Sequence, residues 1–331
     1  MARRARLLDS VALLALTALC FPLSSCSDGS ISRDDAQERR LVLGFSPIVS
    51  WGGWMGANAN SVREAASAAN MELRMEDSRR SQEVQIATLR SFVQQRVDVI
   101  AFSPVVESGW EIILREIRAA GIPVILMDRA VDVSDPSLYA SLVGSDFVEE
   151  GRRAGRWLVE HTRGEQGEIA ILELRGSNGS APANDRKLGF AQAIAGDGRY
   201  RIVESQSADF FRPRARLITA NFLARSHNRL RVIFAHNDGM ALGGIDAVEE
   251  AGLKPGVDVL VIAIEGSREG LEAIVAGKLN VSVECNPLLG PQLVAAARDA
   301  AAGKPVPRRV VTPETVFTRE NAMAELPKRP F

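Results

Sequence analysis

Acidic, basic and amide side chains stand directly after several apolar runs of this sequence. The run "IPVILM" is followed by Asp128 and Arg129, and the run "VIFA" is followed within two residues by Asn237. A carboxylate accepts hydrogen bonds, whereas a guanidinium or an amide nitrogen donates them. Together they suit a ligand whose hydroxyl groups both donate and accept. The same reading singles out Ser103, Asp185, Arg186, Glu265 and Glu284.

Two aromatic residues, Trp54 and Phe210, could cover the C–H faces of a sugar ring. Several of these residues also suit a purely structural role. A salt bridge on the surface or between lobes accounts for the Asp128–Arg129 pair, and core packing accounts for Trp54. Asp185 suits the first turn of a helix. The recurrence of polar residues after apolar runs favours a polar-ligand site.

Motifs for catalysis are absent from the sequence. We find no phosphate-binding loop, no G-x-S-x-G and no H-E-x-x-H, and the segment "RGSNGS" lacks the lysine of a phosphate loop. The histidines His161, His227 and His236 have no metal-ligand spacing. The sequence therefore predicts no catalytic residue, no cofactor and no metal ion.

The elements that must position the polar residues alternate between strand and helix. Short apolar runs without clean polar alternation are typical of parallel strands that are covered on both faces. Ten such strands are predicted, and amphipathic stretches separate them. The alternation breaks near Gly144, where we place a passage between two lobes. The predicted fold is α/β, with two Rossmann-like, doubly wound parallel-sheet lobes. A ligand would lie beyond the carboxyl ends of the strands, in the cleft between the lobes.

The charge balance bears on the kind of partner. The 331 residues include 40 Lys+Arg and 41 Asp+Glu, so the net charge is close to zero. Proteins that bind duplex nucleic acid usually carry a basic excess, so we expect no nucleic-acid partner.

The N-terminus predicts export. A basic segment and a short apolar run precede Leu23-Ser24-Ser25-Cys26, which resembles the lipobox of bacterial lipoproteins. We expect residues 1–25 to be a lipoprotein signal peptide, Cys26 to be the lipid anchor and residues 26–40 to be a tether. An ordinary signal peptide with an incidental cysteine is the alternative. Only Cys285 remains in the folded part, so no intrachain disulfide can form there.

Longer segments carry a resemblance to a known family. The segments "IPVILMDRAVDVSDPSLY", "DRKLGFAQAI" and "AHNDGMALGGIDAVEEAGLKPGVDVL" resemble periplasmic sugar-binding proteins of the ribose-binding type, and galactofuranose binders most of all. The resemblance covers residues from about Leu41 to about Thr318.

The resemblance implies a monomeric type I periplasmic binding protein that delivers a monosaccharide to an ABC permease. It also implies a three-segment hinge. The first lobe would comprise residues 41–144 and 286–310, and the second lobe residues 145–285 and 311–331. The expected ligand-binding residues are Ser46, Trp54, Ser103, Asp128, Arg129, Asp185, Arg186, Phe210, Asn237, Glu265 and Glu284.

Departures from the family pattern put the identity of the sugar in doubt. Glu265 stands where relatives usually have Asp, Met55 where the galactofuranose binder has Arg, and Phe147 where Asn is common. Many relatives also have Gln near Cys285. Such changes leave room for a less polar sugar, such as a deoxy sugar or another furanose.

Three other functions compete with transport. A sensory lipoprotein acting through a chemoreceptor or a sensor kinase would need the same clamp. A sugar-responsive repressor would carry a helix-turn-helix where this chain has its export signal. An enzyme would have to turn over the bound sugar.

Overall fold

The computed structural model describes residues 39–49, 53–226, 229–329 and 331. Residues Arg40–Phe331 form one compact unit. The predicted signal peptide, Cys26 and the tether up to residue 38 lie outside the described residues. Among the helices of the described part, none is both long enough and apolar enough to span a membrane.

The first lobe is built on a six-stranded sheet in which every pairing is parallel. Its strand order is β11-β5-β4-β3-β1-β2. Its strands are β1 (Val42–Ser46), β2 (Glu72–Met75), β3 (Val99–Phe102), β4 (Val124–Met127), β5 (Ser141–Gly144) and β11 (Arg309–Val311). Its helices are α1 (Gly53–Ala68), α2 (Gln82–Gln94), α3 (Glu111–Ala119) and α9 (Gly290–Ala301). The central strands β3 and β4 are buried at every residue, because helices cover both faces of the sheet.

The second lobe repeats this plan with strand order β12-β10-β9-β8-β6-β7. Its strands are β6 (Ile169–Arg175), β7 (Tyr200–Ser207), β8 (Val232–Ala235), β9 (Leu260–Glu265), β10 (Val281–Glu284) and β12 (Val316–Thr318). Its helices are α4 (Phe147–His161), α5 (Ala181–Ile194), α6 (Arg212–Ser226), α7 (Asp238–Glu250), α8 (Arg268–Val275) and α10 (Ala322–Glu325). Only the edge strand β12 pairs antiparallel within the described sheet.

The predicted fold class is confirmed, and each of the ten predicted strands is present. The sequence analysis missed β11 and β12. Each has three residues, which is too short for a periodic pattern to be recognised.

The described chain passes between the lobes three times. The crossings run from β5 to α4, from β10 to α9 and from β11 to β12. The first begins at Gly144, whose φ is 154°. A Cβ atom there would lie 2.7 Å from the Cα atom of Asp128, so the close approach of these two backbones requires glycine.

Candidate functional site

A cavity of about 1060 Å³ lies between the lobes, where the carboxyl ends of both sheets face each other. The first lobe contributes Trp54, Met55, Arg80, Asp128 and Arg129 to its wall, and the second lobe contributes Phe147, Arg186, Asp209, Phe210, Asn237 and Glu265. Doubly wound sheets bind their ligands in this position, so the cavity is the candidate site.

Asp128 and Arg129 form the wall at the end of β4. Both side chains are 6% exposed, and Arg129 Nε lies 3.7 Å from Asp128 Oδ2. Asp128 Oδ1 and Arg129 Nε are buried and make no hydrogen bond to the described residues. A buried polar atom without a partner is costly, and a ligand hydroxyl could satisfy each of these two atoms.

Burial shifts the ionisation of this pair in opposite directions. Desolvation raises the pKa of Asp128 to about 6, although the charges of Arg129 and Arg186 oppose the shift. Desolvation lowers the pKa of Arg129 to about 10, against the effect of the Asp128 carboxylate. At neutral pH both groups are therefore charged, as an acceptor and a donor for hydroxyl groups must be.

Arg186 is held in the wall by two buried partners. Its Nε donates to Glu150 Oε2 at 2.7 Å, and its Nη1 donates to the carbonyl oxygen of His236 at 2.7 Å. Close packing of α4 on α5 fixes its backbone, because a Cβ atom at Gly151 would overlap the Arg186 carbonyl oxygen. The guanidinium is thus fixed before any ligand arrives.

Aromatic rings complete the wall. Trp54 is 7% exposed, and its indole Nε1 donates to the carbonyl oxygen of Cys285 at 2.7 Å. Arg129 lies 5.9 Å from the centroid of Phe210 across the cleft, and Arg186 lies 5.0 Å from the centroid of Phe147. Trp54 packs in the core and also lines the cavity, so its stacking role stays a prediction.

Asn237 and Glu265 line the cavity from the second lobe. Asn237 caps α7, because its Oδ1 accepts a hydrogen bond from the Met240 amide at 2.9 Å. Burial and the nearby Asp238 carboxylate both raise the pKa of Glu265. Asp238 itself lies behind the wall, where Ser267 and Ser282 donate to it at 2.8 and 2.6 Å.

Seven of the predicted ligand-binding residues line the cavity. They are Trp54, Asp128, Arg129, Arg186, Phe210, Asn237 and Glu265. The other four, Ser46, Ser103, Asp185 and Glu284, do not.

Three of these four have partners elsewhere. The carbonyl oxygens of Ser46 and Ser103 accept hydrogen bonds from Gln85 Nε2 at 3.1 and 2.9 Å, which ties the ends of β1 and β3 together. The carboxylate of Glu284 accepts from the Thr315 amide and from Arg329 Nη1, at 2.9 and 2.7 Å.

Asp185 lies within α5, near the first lobe. Burial, and to a smaller extent the negative charges of Glu107 and Asp146, raise its pKa to about 6. It is the fifth residue of α5, so it does not occupy the first helical turn.

The sequence analysis did not single out Arg80, a cavity residue of the first lobe. Its Nη2 donates to Asp209 Oδ1 of the second lobe at 2.8 Å. Arg80 lies five residues beyond the end of β2, and a wider search after each strand would have found it.

Strained backbone is concentrated at the cavity. Eight non-glycine residues of the described chain have positive φ values, and five of these line the cavity. They are Arg80, Asp128, Asp209, Phe210 and Glu265. Glu265 has the most unusual value, a φ of 138°. Such conformations cost free energy and cluster at binding sites, which supports the assignment of the cavity.

The fold and the cavity define a two-lobed binding protein with a polar cleft. A periplasmic binding protein domain matches residues 43–305, and the chain belongs to this family. The chain is 38% identical to the galactofuranose-binding protein YtfQ of Escherichia coli (strain K12), over 87% of this chain and 91% of that protein.

Two solved structures are also similar. A Mycobacterium smegmatis protein in complex with β-D-fucofuranose is 47% identical, with a TM-score of 0.84 over 87% of this chain and 94% of that one. The binding protein of the arabinose ABC transporter from Shewanella sp. ANA-3, bound to L-arabinofuranose, is 38% identical. Its TM-score is 0.83 over 87% of this chain and 95% of that one.

Proposed function

We propose that this protein is an extracytoplasmic receptor that closes on a monosaccharide in its furanose form and delivers it to an ABC importer. The observation that carries the proposal is the pair of unpartnered buried atoms, Asp128 Oδ1 and Arg129 Nε, in the wall of the cavity. One accepts and the other donates, as neighbouring hydroxyl groups of a sugar require. The furanose ligands of the relatives support the same conclusion.

The charges of the wall favour a neutral ligand. Four arginines and four carboxyl groups line the cavity, and burial favours the neutral form of Glu265, so no large excess of positive charge selects a sugar acid or a sugar phosphate. The arginines are Arg80, Arg129, Arg186 and Arg214, and the carboxylates are Asp128, Asp209, Glu265 and Glu269.

Within the furanoses, we propose a sugar that is less polar than galactofuranose. Met55 and Phe147 line the cavity and offer no strong hydrogen-bonding group. An apolar wall tolerates a methyl group or a hydrogen atom where a hydroxyl would lose its hydrogen bonds. Fucofuranose and arabinofuranose, the ligands of two relatives, fit that description.

Each proposed ligand-binding residue has a role that its chemistry supports. Asp128 and Glu265 accept hydrogen bonds from hydroxyl groups, while Arg129, Arg186 and Asn237 donate to their oxygens. Trp54 and Phe210 cover the faces of the ring. We assign no catalytic residue.

We also propose that Cys26 carries a lipid that holds the protein at the outer face of the cell membrane. The lipobox-like segment before Cys26 supports this assignment. Cys26→Ala should release the protein from washed membranes into the soluble fraction, whereas Cys285→Ala should leave it bound. Membrane retention of the Cys26→Ala protein would contradict the anchor.

A thermal-shift panel tests the ligand. It should contain fucofuranose, arabinofuranose and galactofuranose in stable glycoside or free form, with ribose, fructose and inositol for comparison. A ligand at 100 times its Kd adds about 2.7 kcal/mol to the free energy of unfolding, which is a visible shift in Tm. Titration calorimetry would then rank the affinities.

We expect the largest shift with fucofuranose or arabinofuranose. A stronger response to galactofuranose would overturn the choice of a less polar sugar. No shift with any member of the panel would overturn the assignment of a monosaccharide ligand.

A further inference from the structure

Side chains from all three crossings meet behind the cavity. Ser145 lies in the first crossing, Cys285 in the second and Glu314 in the third. Ser145 Oγ lies 3.4 Å from Cys285 Sγ and donates a short hydrogen bond to Glu314 Oε1. The amide of Asn286 also approaches Glu314 Oε1, at 3.4 Å. The hinge segments are thus joined through one polar cluster.

Glu150 of α4 completes this cluster and has an unused oxygen. Its side chain is 0% exposed, and Arg186 Nε donates a hydrogen bond to its Oε2 atom at 2.7 Å. The other oxygen, Oε1, is buried without a hydrogen bond to any described residue. A carboxylate oxygen of Glu150, Cys285 Sγ and a carboxylate oxygen of Glu314 all lie within 4.8 Å of one another. A fully buried acceptor is therefore close to two other potential metal ligands.

The cluster holds more acidic groups than cationic ones. Glu150, Cys285 and Glu314 can each become an anion, whereas Arg186 is the cation bonded to Glu150. Arg153 and Arg309 also reach the crossings, but they donate to the carbonyl oxygens of Glu314 and Ser145. The side-chain donors to this cluster are Ser145, which bonds to Glu314, and Arg186, which bonds to Glu150.

We propose that Glu150, Cys285 and Glu314 form a binding site for a thiophilic divalent cation, of which Zn²⁺ is the prime example. Thiolate and carboxylate are both ligands of Zn²⁺, and the serine hydroxyl or a water molecule could occupy a fourth position. Donor atoms around a tetrahedral zinc ion are about 3.6 Å apart. The three donor atoms here lie within 4.8 Å of one another, so the widest possible distance between two of them must shorten by about 1 Å. The Glu314 side chain would make most of that movement, because Arg186 holds Glu150 in place.

One hydrogen bond that would orient a metal ligand is already in place. Metal-bound carboxylates are usually held by further hydrogen bonds, and Arg186 holds Glu150 in this way. The site adjoins the sugar cavity without duplicating it. Cys285 lines the cavity, but Glu150 and Glu314 do not. The two sites share Cys285 and the Arg186–Glu150 contact, but the cation titrations need no sugar, so either proposal can fail without the other.

Cadmium and zinc titrations of the full-length protein carrying Cys20→Ala and Cys26→Ala test the site, because Cys285 is then its single thiol. Cd²⁺ should produce the ultraviolet charge-transfer band of a cadmium–thiolate bond, and Zn²⁺ should abolish that band by competition. Zn²⁺ should also raise Tm, and EDTA should reverse the rise, because a cation that binds only the folded state stabilises it.

Two near-isosteric variants locate the ligands. Cys285→Ser should remove the charge-transfer band, and Glu150→Gln should weaken Zn²⁺ affinity by at least about tenfold. Glu64→Gln, on the exposed face of α1, should bind Zn²⁺ as the unchanged protein does. Melting curves in EDTA show whether each variant folds.

Two results would overturn the site. One is the absence of a cadmium–thiolate band in the unchanged, folded protein. The second is an equal Zn²⁺ affinity of the unchanged protein and the Cys285→Ser variant. If a variant fails to fold, the band and the Zn²⁺ competition in the Cys20→Ala/Cys26→Ala protein still decide the question, because Cys285 is its single thiol.

Discussion

Asp128 and Arg129 are neighbours in sequence, yet both line the cavity. Successive side chains of an extended strand point to opposite faces of the sheet. The φ of 67° at Asp128 ends β4 and breaks this alternation, so two consecutive side chains reach the same wall. Gly144 makes this turn possible by giving the Asp128 backbone room.

Replacement of Arg129 by alanine should weaken sugar binding. The change removes a charged donor and leaves Asp128 as a buried carboxylate without its neighbouring cation. Loss of one charge-assisted hydrogen bond costs about 1.5–3 kcal/mol, so Kd should rise by about tenfold or more. Titration calorimetry measures the change. Arg90→Ala is the matched control, because Arg90 pairs with Glu116 on the exposed surface. An unchanged Kd for Arg129→Ala would exclude Arg129 from the site.

Sugar affinity should fall at acidic pH because of Asp128. Burial raises its pKa to about 6, so below that pH the carboxylate gains a proton and loses an acceptor. Kd should therefore increase by about tenfold between pH 7 and pH 5. Calorimetry at several pH values measures this trend, and Asp128→Asn should bind weakly with a flatter profile. An equally steep profile in that variant would place the titrating group elsewhere.

The same shift has the opposite consequence for stability. The folded protein holds a proton on Asp128 between the ordinary pKa of an aspartate and about 6, whereas the unfolded chain has released it. This contribution to the free energy of unfolding is present below that window and is lost as pH rises through it. Neutral pH therefore favours binding at the expense of stability.

For single residues, the sequence predicted which ones lie near the cleft better than it predicted where their side chains point. A residue at or just after the end of a parallel strand lies near the cleft, which accounts for Asp128, Arg129, Phe210, Asn237 and Glu265. Trp54 and Arg186 reach the cavity from helices. The direction of a side chain depends on partners that are distant in sequence. Gln85 Nε2 donates to the hydroxyl oxygen of Ser46 at 3.4 Å, and Arg329 Nη1 donates to the carboxylate of Glu284 at 2.7 Å. No local sequence pattern predicts these contacts.

Helices α4 and α5 form the element that positions Arg186. Their backbones come so close that a Cβ atom at Gly189 would overlap the carbonyl oxygen of Val148. Gly151 makes the reciprocal approach to Arg186 itself. Any added side chain must therefore push the two helices apart and displace the guanidinium.

Gly151→Ala should lower the free energy of unfolding by about 1–3 kcal/mol, which is usual for an overpacked core. It should also weaken sugar binding, because Arg186 moves with α5. Urea denaturation and calorimetry measure the two effects. Gly164→Ala is the control, since a Cβ atom there would meet no atom within 4 Å. Equal stability of the two variants would contradict the close packing.

At the element scale, apolar runs predicted the strands because both faces of each central strand are covered. The strands β11 and β12 lie at the sheet edges and have three residues each, so pairing with a neighbour defines them more than their own sequence does. Each pairs with a strand that is distant in sequence, which explains why the sequence analysis missed them.

Across the whole molecule, the lobes touch at the rim of the cleft. Arg80 bonds to Asp209, the Glu107 amide donates to the Gly179 carbonyl oxygen at 2.9 Å, and Asn184 donates to the Glu107 carboxylate. These contacts belong to a closed arrangement, and the closed arrangement alone lets a ligand touch both lobes. They therefore add to the closing free energy without touching the ligand.

Asn184→Ala should accelerate sugar release, because it removes a cross-lobe bond to a carboxylate outside the cavity. The dissociation rate should rise about three- to tenfold, while the association rate stays nearly constant. Stopped-flow measurements separate the two rates. Gln192→Ala is the control on the same helix, since Gln192 bonds to Arg152 within the second lobe. A slower association with an unchanged dissociation rate would refute this role.

The sequence placed the first passage between lobes near Gly144, where the loss of alternation is visible. The closed arrangement could not be predicted in the same way. It rests on single contacts between loops, such as that of Arg80 with Asp209, whose residues carry no periodic signal.

The three crossings also govern the order in which the protein can fold. The first lobe needs α9, which packs on α1, and β11, which follows it in the chain. During synthesis, the second lobe's central block, residues 147–284, is made before the first lobe can close its core. The nascent chain therefore exposes an unfinished apolar surface of the first lobe while the central block of the second lobe is made, and such surfaces aggregate unless they are protected. Neither lobe can complete its sheet alone during synthesis, because β11 and β12 both follow the second lobe's central block in the chain.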